Sequence, residues 1–198
     1  MILVIADRDG TLNHNNRSKL NGPYYVLHPE QFEWMPDAKE GMAELLNKEI
    51  LVGVVTSQNC ISEGLISKEE VELIHAKMNN DLFELCGKRV PVEVIYGVKE
   101  AELARATAKA EAIKVIVKGY TEQGLDIERV YVIGDTQGDI LAGILFKDMP
   151  DSALKRGCYT MHVELDYTSE KDRYVQKADY HVKSFKEAVD IILLIEGY

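Results

Sequence analysis

Cysteine is scarce in this chain. Cys60, Cys86 and Cys158 are the only three among 198 residues. An odd number with no C-x-x-C pair excludes a disulfide framework and a four-cysteine zinc site. Long hydrophobic runs are missing as well. The apolar start at Met1 to Ala6 is too short for a signal peptide and meets Asp7 at once, and the run from Ile50 to Val55 falls far short of the roughly 20 residues of a membrane helix. The expectation is a cytosolic, reduced protein with no membrane partner. Basic residues are in deficit, 23 against 33 acidic ones, for a formal net charge of −10. Polyanion binders need clustered Lys and Arg, so nucleic acid is not an expected partner. Repeats, low-complexity tracts and linkers are absent too, and 1–198 reads as a single domain long enough to bury a core.

What is present is alternation. Ile2 to Ala6 is a continuous apolar run of the kind that suits a central parallel strand covered on both faces. Ile50 to Val55 is a second such strand, Val92 to Tyr96 a third and Val130 to Ile133 a fourth. Tyr159 to Val163 and Tyr180 to Val182 are weaker strands. Between them lie helical patterns. Ala38, Met42, Leu45 and Leu46 follow Pro36 at helical spacing. Ser67 with Glu70 makes a capping box ahead of Val71, Ile74, Met78, Leu82 and Leu85. Residues 100 to 123 are Ala-rich and helical, Asp139 to Phe146 begins a further helix, and Ser184 with Glu187 caps the last. The pattern predicts an α/β fold, a mainly parallel Rossmann-like sheet with helices on both faces. The stretch from Asn13 to Met35 reads as a long ordered loop, anchored by Phe32 and Trp34.

Ligands of such sheets bind beyond the carboxyl ends of the strands. The first strand runs into Asp7-Arg8-Asp9-Gly10-Thr11, the second into Thr56-Ser57-Gln58-Asn59, and the fourth into Gly134-Asp135, with Asp139 four residues on. Several carboxylates thus converge on one edge. Crowded like charges repel and raise one another's pKa unless a cation offsets them. Oxygen-only donors, with no His or Cys among them, favour Mg²⁺ over zinc, and carboxylates, hydroxyls and Mg²⁺ together suit phosphoryl transfer.

The same residues carry a family resemblance. Asp7-x-Asp9-Gly10-Thr11, Thr56 after a strand, and Gly134-Asp135-x-x-x-Asp139 resemble motifs I, II and IV of haloacid dehalogenase-superfamily phosphatases. Asp7 to Asn13, Tyr25 to Phe32 and Val55 to Asn59 resemble the capless branch that holds histidinol-phosphate and D,D-heptose 1,7-bisphosphate phosphatases. The resemblance implies that Asp7 attacks phosphorus and that Asp9 serves as acid and base. It implies that Asp7, the Asp9 backbone carbonyl and Asp135 hold Mg²⁺, that Asp139 binds the ion directly or through one of its ligands, and that Thr56 grips the phosphoryl group. Arg8, Gly10, Thr11, Ser57 and Gln58 flank these motifs as candidates for substrate contact, although Arg8 suits a structural ion pair equally well.

The chain departs from the branch in three places. The motif III lysine has no clear signature, and Lys109 and Lys114 are its candidates, Lys109 preferred. The Cys/His zinc loop common in the branch is absent. Ser57 and Asn59 stand where the branch commonly has Asn and Ser. The gaps between motifs leave no room for a large cap domain. The implied function is Mg²⁺-dependent hydrolysis of a small phosphorylated metabolite, such as a sugar phosphate, by a monomer or small homo-oligomer. Two alternatives stay open: a polynucleotide 3′-phosphatase, and an inactive binding or regulatory module of the same fold.

Overall fold

A computed structural model describes residues 1–15, 25–97, 102–149, 157–165 and 175–198. The expected alternation appears in order: β1 (Ile2–Ala6), α1 (Ala38–Asn47), β2 (Leu51–Ser57), a short α2 (Asn59–Ser62), α3 (Lys68–Cys86), β3 (Val92–Ile95), α4 (Glu102–Glu122), β4 (Arg129–Gly134), α5 (Gln137–Lys147), β5 (Cys158–Val163), β6 (Tyr180–Val182) and α6 (Phe185–Glu196). All six strands pair in parallel, in the order β3-β2-β1-β4-β5-β6. No helix among the described residues is long and apolar enough to cross a membrane.

Parallel strands need crossover connections, and the helices that supply them cover both sheet faces. That is why β1 to β4 read as near-continuous apolar runs. Successive side chains point to opposite faces, so β1 divides its own between two cores. Val4 and Ala6 pack under α1, α3 and α6 with Met42, Ile74 and Phe185. Leu3 and Ile5 pack under α4 and α5 with Ile113, Ile116 and Phe146.

Helix ends follow local chemistry. Ser67 caps α3 through the expected box with Glu70, and Ser184 caps α6 by accepting from the Glu187 amide. Two boundaries differ from the sequence pattern. Helix α5 starts at Gln137 rather than Asp139, because Thr136 and Asp139 themselves form a capping box. In α3 the buried stripe is Val71, Ile74, His75, Met78 and Leu82, while Leu85 is 47% exposed. A histidine thus sits in the stripe where the pattern marks only apolar residues. Of the expected 13–35 loop, residues 16–24 lie outside the described set, as do residues 100 and 101 of the helix expected over 100–123.

From β1 the chain steps outward to β2 and β3. It then returns through α4 to β4 on the other side of β1. The direction of winding therefore reverses between β1 and β4, and the crevice beyond their carboxyl ends is where sheets of this topology bind ligands. Among the described residues no cap domain covers it. Helix α4 lies against this crevice, and Ile113 anchors it one turn beyond Lys109, 1% exposed among Ile5, Val55 and Val132. Ile113→Ala is expected to cost about 2–5 kcal/mol and Ile113→Val about 0.5–1.5 kcal/mol. Urea unfolding midpoints check the ranking.

Candidate active site

Strand β1 ends by passing Asp7 beside β4, where the Asp7 amide donates to the Ile133 carbonyl at 2.9 Å. Beyond it the chain turns sharply. Gly10 has φ 92°, a left-handed value that glycine adopts without strain, and its amide donates to the Asn13 carbonyl at 2.8 Å. The turn holds Asp7 and Asp9 at the edge with their carboxylates in different surroundings.

Asp7 joins a cluster. A carboxylate oxygen of each of Asp7, Asp135 and Asp139 lies within 4.8 Å of the others, and all three residues are buried. Lys109 reaches in from α4, its Nζ donating to Asp7 Oδ1 at 2.7 Å and also to Asp139 Oδ1. Asp139 is fixed from its other side by the Thr136 hydroxyl at 2.6 Å and the Thr136 amide at 3.1 Å. Gly134 is part of the design. A Cβ there would stand 2.3 Å from the Asp139 Cβ, so only a glycine lets α5 begin this close to β4.

Charge governs the cluster. The Lys109 ammonium pairs with two of the three carboxylates, Asp7 and Asp139. Burial lifts the Asp7 pKa and Asp139 lifts it further, and Lys109 counters only in part, leaving it at about 7 instead of 3.8. Burial disfavours the Lys109 charge, yet Asp139 and Asp7 outweigh it and push its pKa up.

Asp9 lies outside the cluster and has the opposite environment. Its carboxylate accepts from Arg8 Nη2 at 2.8 Å, from Asn13 Nδ2 at 2.9 Å and from Gln58 Nε2 at 2.9 Å. Burial alone would raise its pKa, but the Arg8 charge and these donors hold it below the ordinary range. Gln58 Nε2 also donates to Thr56 Oγ1 at 2.8 Å, which leaves the Thr56 hydroxyl proton to be given elsewhere. The Thr11 and Ser57 hydroxyl oxygens are enclosed with no hydrogen-bond partner among the described residues.

The chain is similar to known proteins, although no family model matches it. The D-glycero-beta-D-manno-heptose-1,7-bisphosphate 7-phosphatase of Rhodopseudomonas palustris is 25% identical over 144 residues, 70% of this chain and 76% of that one. The like-named protein of Pseudomonas putida is 26% identical over 153 residues, 76% of this chain and 81% of that one. The crystal structure of D,D-heptose 1,7-bisphosphate phosphatase from B. bronchiseptica, complexed with magnesium and phosphate, superposes with a TM-score of 0.73. That match covers 98% of this chain and 99% of the other at 19% identity. The chain is thus similar in sequence to heptose-1,7-bisphosphate phosphatases and shares the fold of a solved one.

The structure bears on three of the expected positions. Arg8 makes the structural ion pair that is one of its two expected roles, its Nη2 2.8 Å from Asp9 Oδ2. It is fully buried, and its Nη1 lies 3.0 Å from His75 Nε2 on α3. Gln58 is likewise fully buried, its amide committed to Asp9 and Thr56. Lys114 lies five residues past Lys109, roughly 7.5 Å further along α4. It is away from the cluster that Lys109 enters, so Lys109 is the lysine the structure brings to Asp7.

His75 and Asn13 went unmarked in the sequence. Burial, then the Arg8 charge, pushes the His75 pKa down to about 3. The ring is therefore neutral at physiological pH, and because a guanidinium can only donate, Nε2 accepts. The chain of contact runs from His75 through Arg8 to Asp9.

Two substitutions check this geometry. Gly134→Ala is expected to displace Asp139 and to abolish activity while the chain stays folded, read by circular dichroism beside an activity assay. His75→Leu removes the acceptor from a buried guanidinium and is expected to cost about 1–3 kcal/mol. His75→Gln, which keeps an acceptor, should recover part of that loss in chemical denaturation.

Proposed function

We propose that the protein is a divalent-metal-dependent phosphomonoester hydrolase that acts on a small sugar phosphate through an aspartyl-phosphate on Asp7. The observation that carries this reading is the Lys109 ammonium 2.7 Å from Asp7 Oδ1 inside the Asp7–Asp135–Asp139 cluster. A buried carboxylate steadied by one lysine and crowded by two more suits a nucleophile that works beside a cation. The sugar-phosphate class is supported by relatives named as heptose-1,7-bisphosphate 7-phosphatases.

The donor set fits Mg²⁺. Three carboxylate oxygens, with no nitrogen or sulfur, form the site, and a divalent ion offsets the charge that Lys109 leaves over. Bound to Asp7, Asp135 and Asp139, Mg²⁺ would neutralise the cluster and draw phosphoryl oxygens toward Asp7.

The chain's own residues supply the rest. Asp7 attacks phosphorus through a carboxylate oxygen. The bond from phosphorus to the sugar oxygen breaks, and the leaving alkoxide takes a proton from Asp9. Water then attacks the phosphorus of the aspartyl-phosphate and passes a proton to Asp9. Phosphate departs, Asp7 is restored, and the proton on Asp9 serves the next leaving group. The Arg8, Asn13 and Gln58 clamp favours the ionised form of Asp9, the form that takes the proton from water. Thr56, with its hydroxyl proton uncommitted to Gln58, is placed to donate to a phosphoryl oxygen. The Lys109 contact weighs against an inert module, and a crevice without a cap among the described residues suits small, freely diffusing phosphomonoesters.

With Mg²⁺ and p-nitrophenyl phosphate, the native chain should release p-nitrophenol continuously and Asp7→Asn should release none. Asp9→Asn should give a burst of one equivalent per chain and then stall at the aspartyl-phosphate. Lys109→Met should lose roughly 10²–10³-fold in kcat. Release by the native chain no faster than by Asp7→Asn overturns the proposal.

Stability gives a second check. Asp7 sits near pH 7 when folded and near 3.8 ordinarily. Across that window the folded, metal-free chain keeps a proton that the unfolded chain has lost, so its stability falls as pH rises. A bound cation removes this cost. Mg²⁺ is therefore expected to raise the thermal midpoint more above pH 7 than below it, measured against EDTA, and equal gains on both sides contradict the account.

A further inference from the structure

The last two strands bring together a second group of donors that the phosphatase reading does not use. His162 on β5 stands opposite His181 on β6. Glu164 follows His162 by two residues and so shares its face. One donor atom from each of His162, Glu164 and His181 lies within 4.8 Å of the others, and His181 Nδ1 is 3.7 Å from Glu164 Oε1. This group differs in kind from the oxygen-only cluster, since two of its three donors are imidazoles.

His162 supplies the observation that points to a ligand. It is 3% exposed, and its Nε2 lies 3.3 Å from the Asp135 carbonyl oxygen. A carbonyl only accepts, so Nε2 carries the proton and Nδ1 the lone pair. That Nδ1 is enclosed with no hydrogen-bond partner among the described residues. A neutral imidazole that donates from one nitrogen to a backbone carbonyl and keeps the other for a cation is the usual arrangement of a metal-ligating histidine. Without a cation the same nitrogen is a buried acceptor without compensation.

We propose that His162, Glu164 and His181 form a second metal site, one that takes a borderline cation of the Zn²⁺ class. Two imidazoles and a carboxylate select such ions over Mg²⁺. Around a tetrahedral ion, ligand atoms lie roughly 3.3–3.5 Å apart, close to the 3.7 Å already present between His181 and Glu164. Those two side chains are 41% and 56% exposed, so they can close on an ion by rotation alone, with one coordination position open to solvent. The His162 bond to the Asp135 carbonyl ties this site to the carboxylate edge. The proposal stands apart from the phosphatase reading, because metal binding here is measured without turnover.

The test is calorimetric titration of Zn²⁺ into the full chain in the presence of millimolar Mg²⁺, with Co²⁺ as a spectroscopic probe. One Zn²⁺ should bind per chain. His181→Ala should weaken it by more than the roughly 10–100-fold that loss of an outer-shell partner produces, and Glu164→Gln should weaken it as well. Both variants should keep Mg²⁺-dependent hydrolysis of p-nitrophenyl phosphate. Co²⁺ should give the intense visible absorption of a four-coordinate site, lost in His181→Ala. The proposal is overturned if no Zn²⁺ binds under Mg²⁺, if both variants bind as the native chain does, or if binding disappears in Asp7→Asn instead.

Discussion

Three buried carboxylates meet at the carboxyl edge of the sheet, two of them bound by the Lys109 ammonium, and most of the architecture serves to hold them there. Asp7 arrives at the end of β1 and Asp135 at the end of β4, adjacent strands whose parallel register brings their ends level. Asp139 comes from the first turn of α5, fixed by the Thr136 capping box. Lys109 comes from α4, whose apolar face packs on β1, β2 and β4 through Ile113 and Ile116. Four separate elements thus set the distances. Isolated buried charges are too costly to persist. The cluster is tolerable because Lys109 is present, although burial and the neighbouring Asp139 still hold the Asp7 pKa above the ordinary carboxylate range.

The two aspartates of the first motif stand two residues apart and are driven in opposite directions. Asp7 is raised by burial and by a neighbouring carboxylate. Asp9 is lowered by a guanidinium and two amides. Separating the environments of neighbouring titratable groups is how one site obtains two chemical roles. Arg8, between them in sequence, points the other way, into the core beneath α3. There His75 accepts from it. The clamp on Asp9 is therefore built from the interior outward, by residues that never reach solvent.

The sheet was legible because doubly covered parallel strands leave near-continuous apolar runs, and those of β1 and β2 lead directly into Asp7 and Thr56 at the carboxyl edge. The aspartates were legible for the same reason. Lys109 was not separable from Lys114 by composition, since both lie in an Ala-rich helix, and only the packing of α4 decides which one enters the crevice. Arg8 and Gln58 neighbour the motifs in sequence and so looked like candidates for substrate contact, yet both are fully buried with their donors turned to Asp9. His75 was invisible because a lone histidine in an apolar stripe has no sequence mark of its own. Thr136 and Asp139 show the reverse case: the local capping rule, applied one turn earlier, places the start of α5.

The central claim is that the cluster cannot accept an anion until a cation offsets its charge. Inorganic phosphate binding, measured by calorimetry with and without Mg²⁺, tests this most directly. The account predicts no measurable phosphate binding in EDTA and clear binding once Mg²⁺ is added. Equal affinity for phosphate in the two conditions would contradict it.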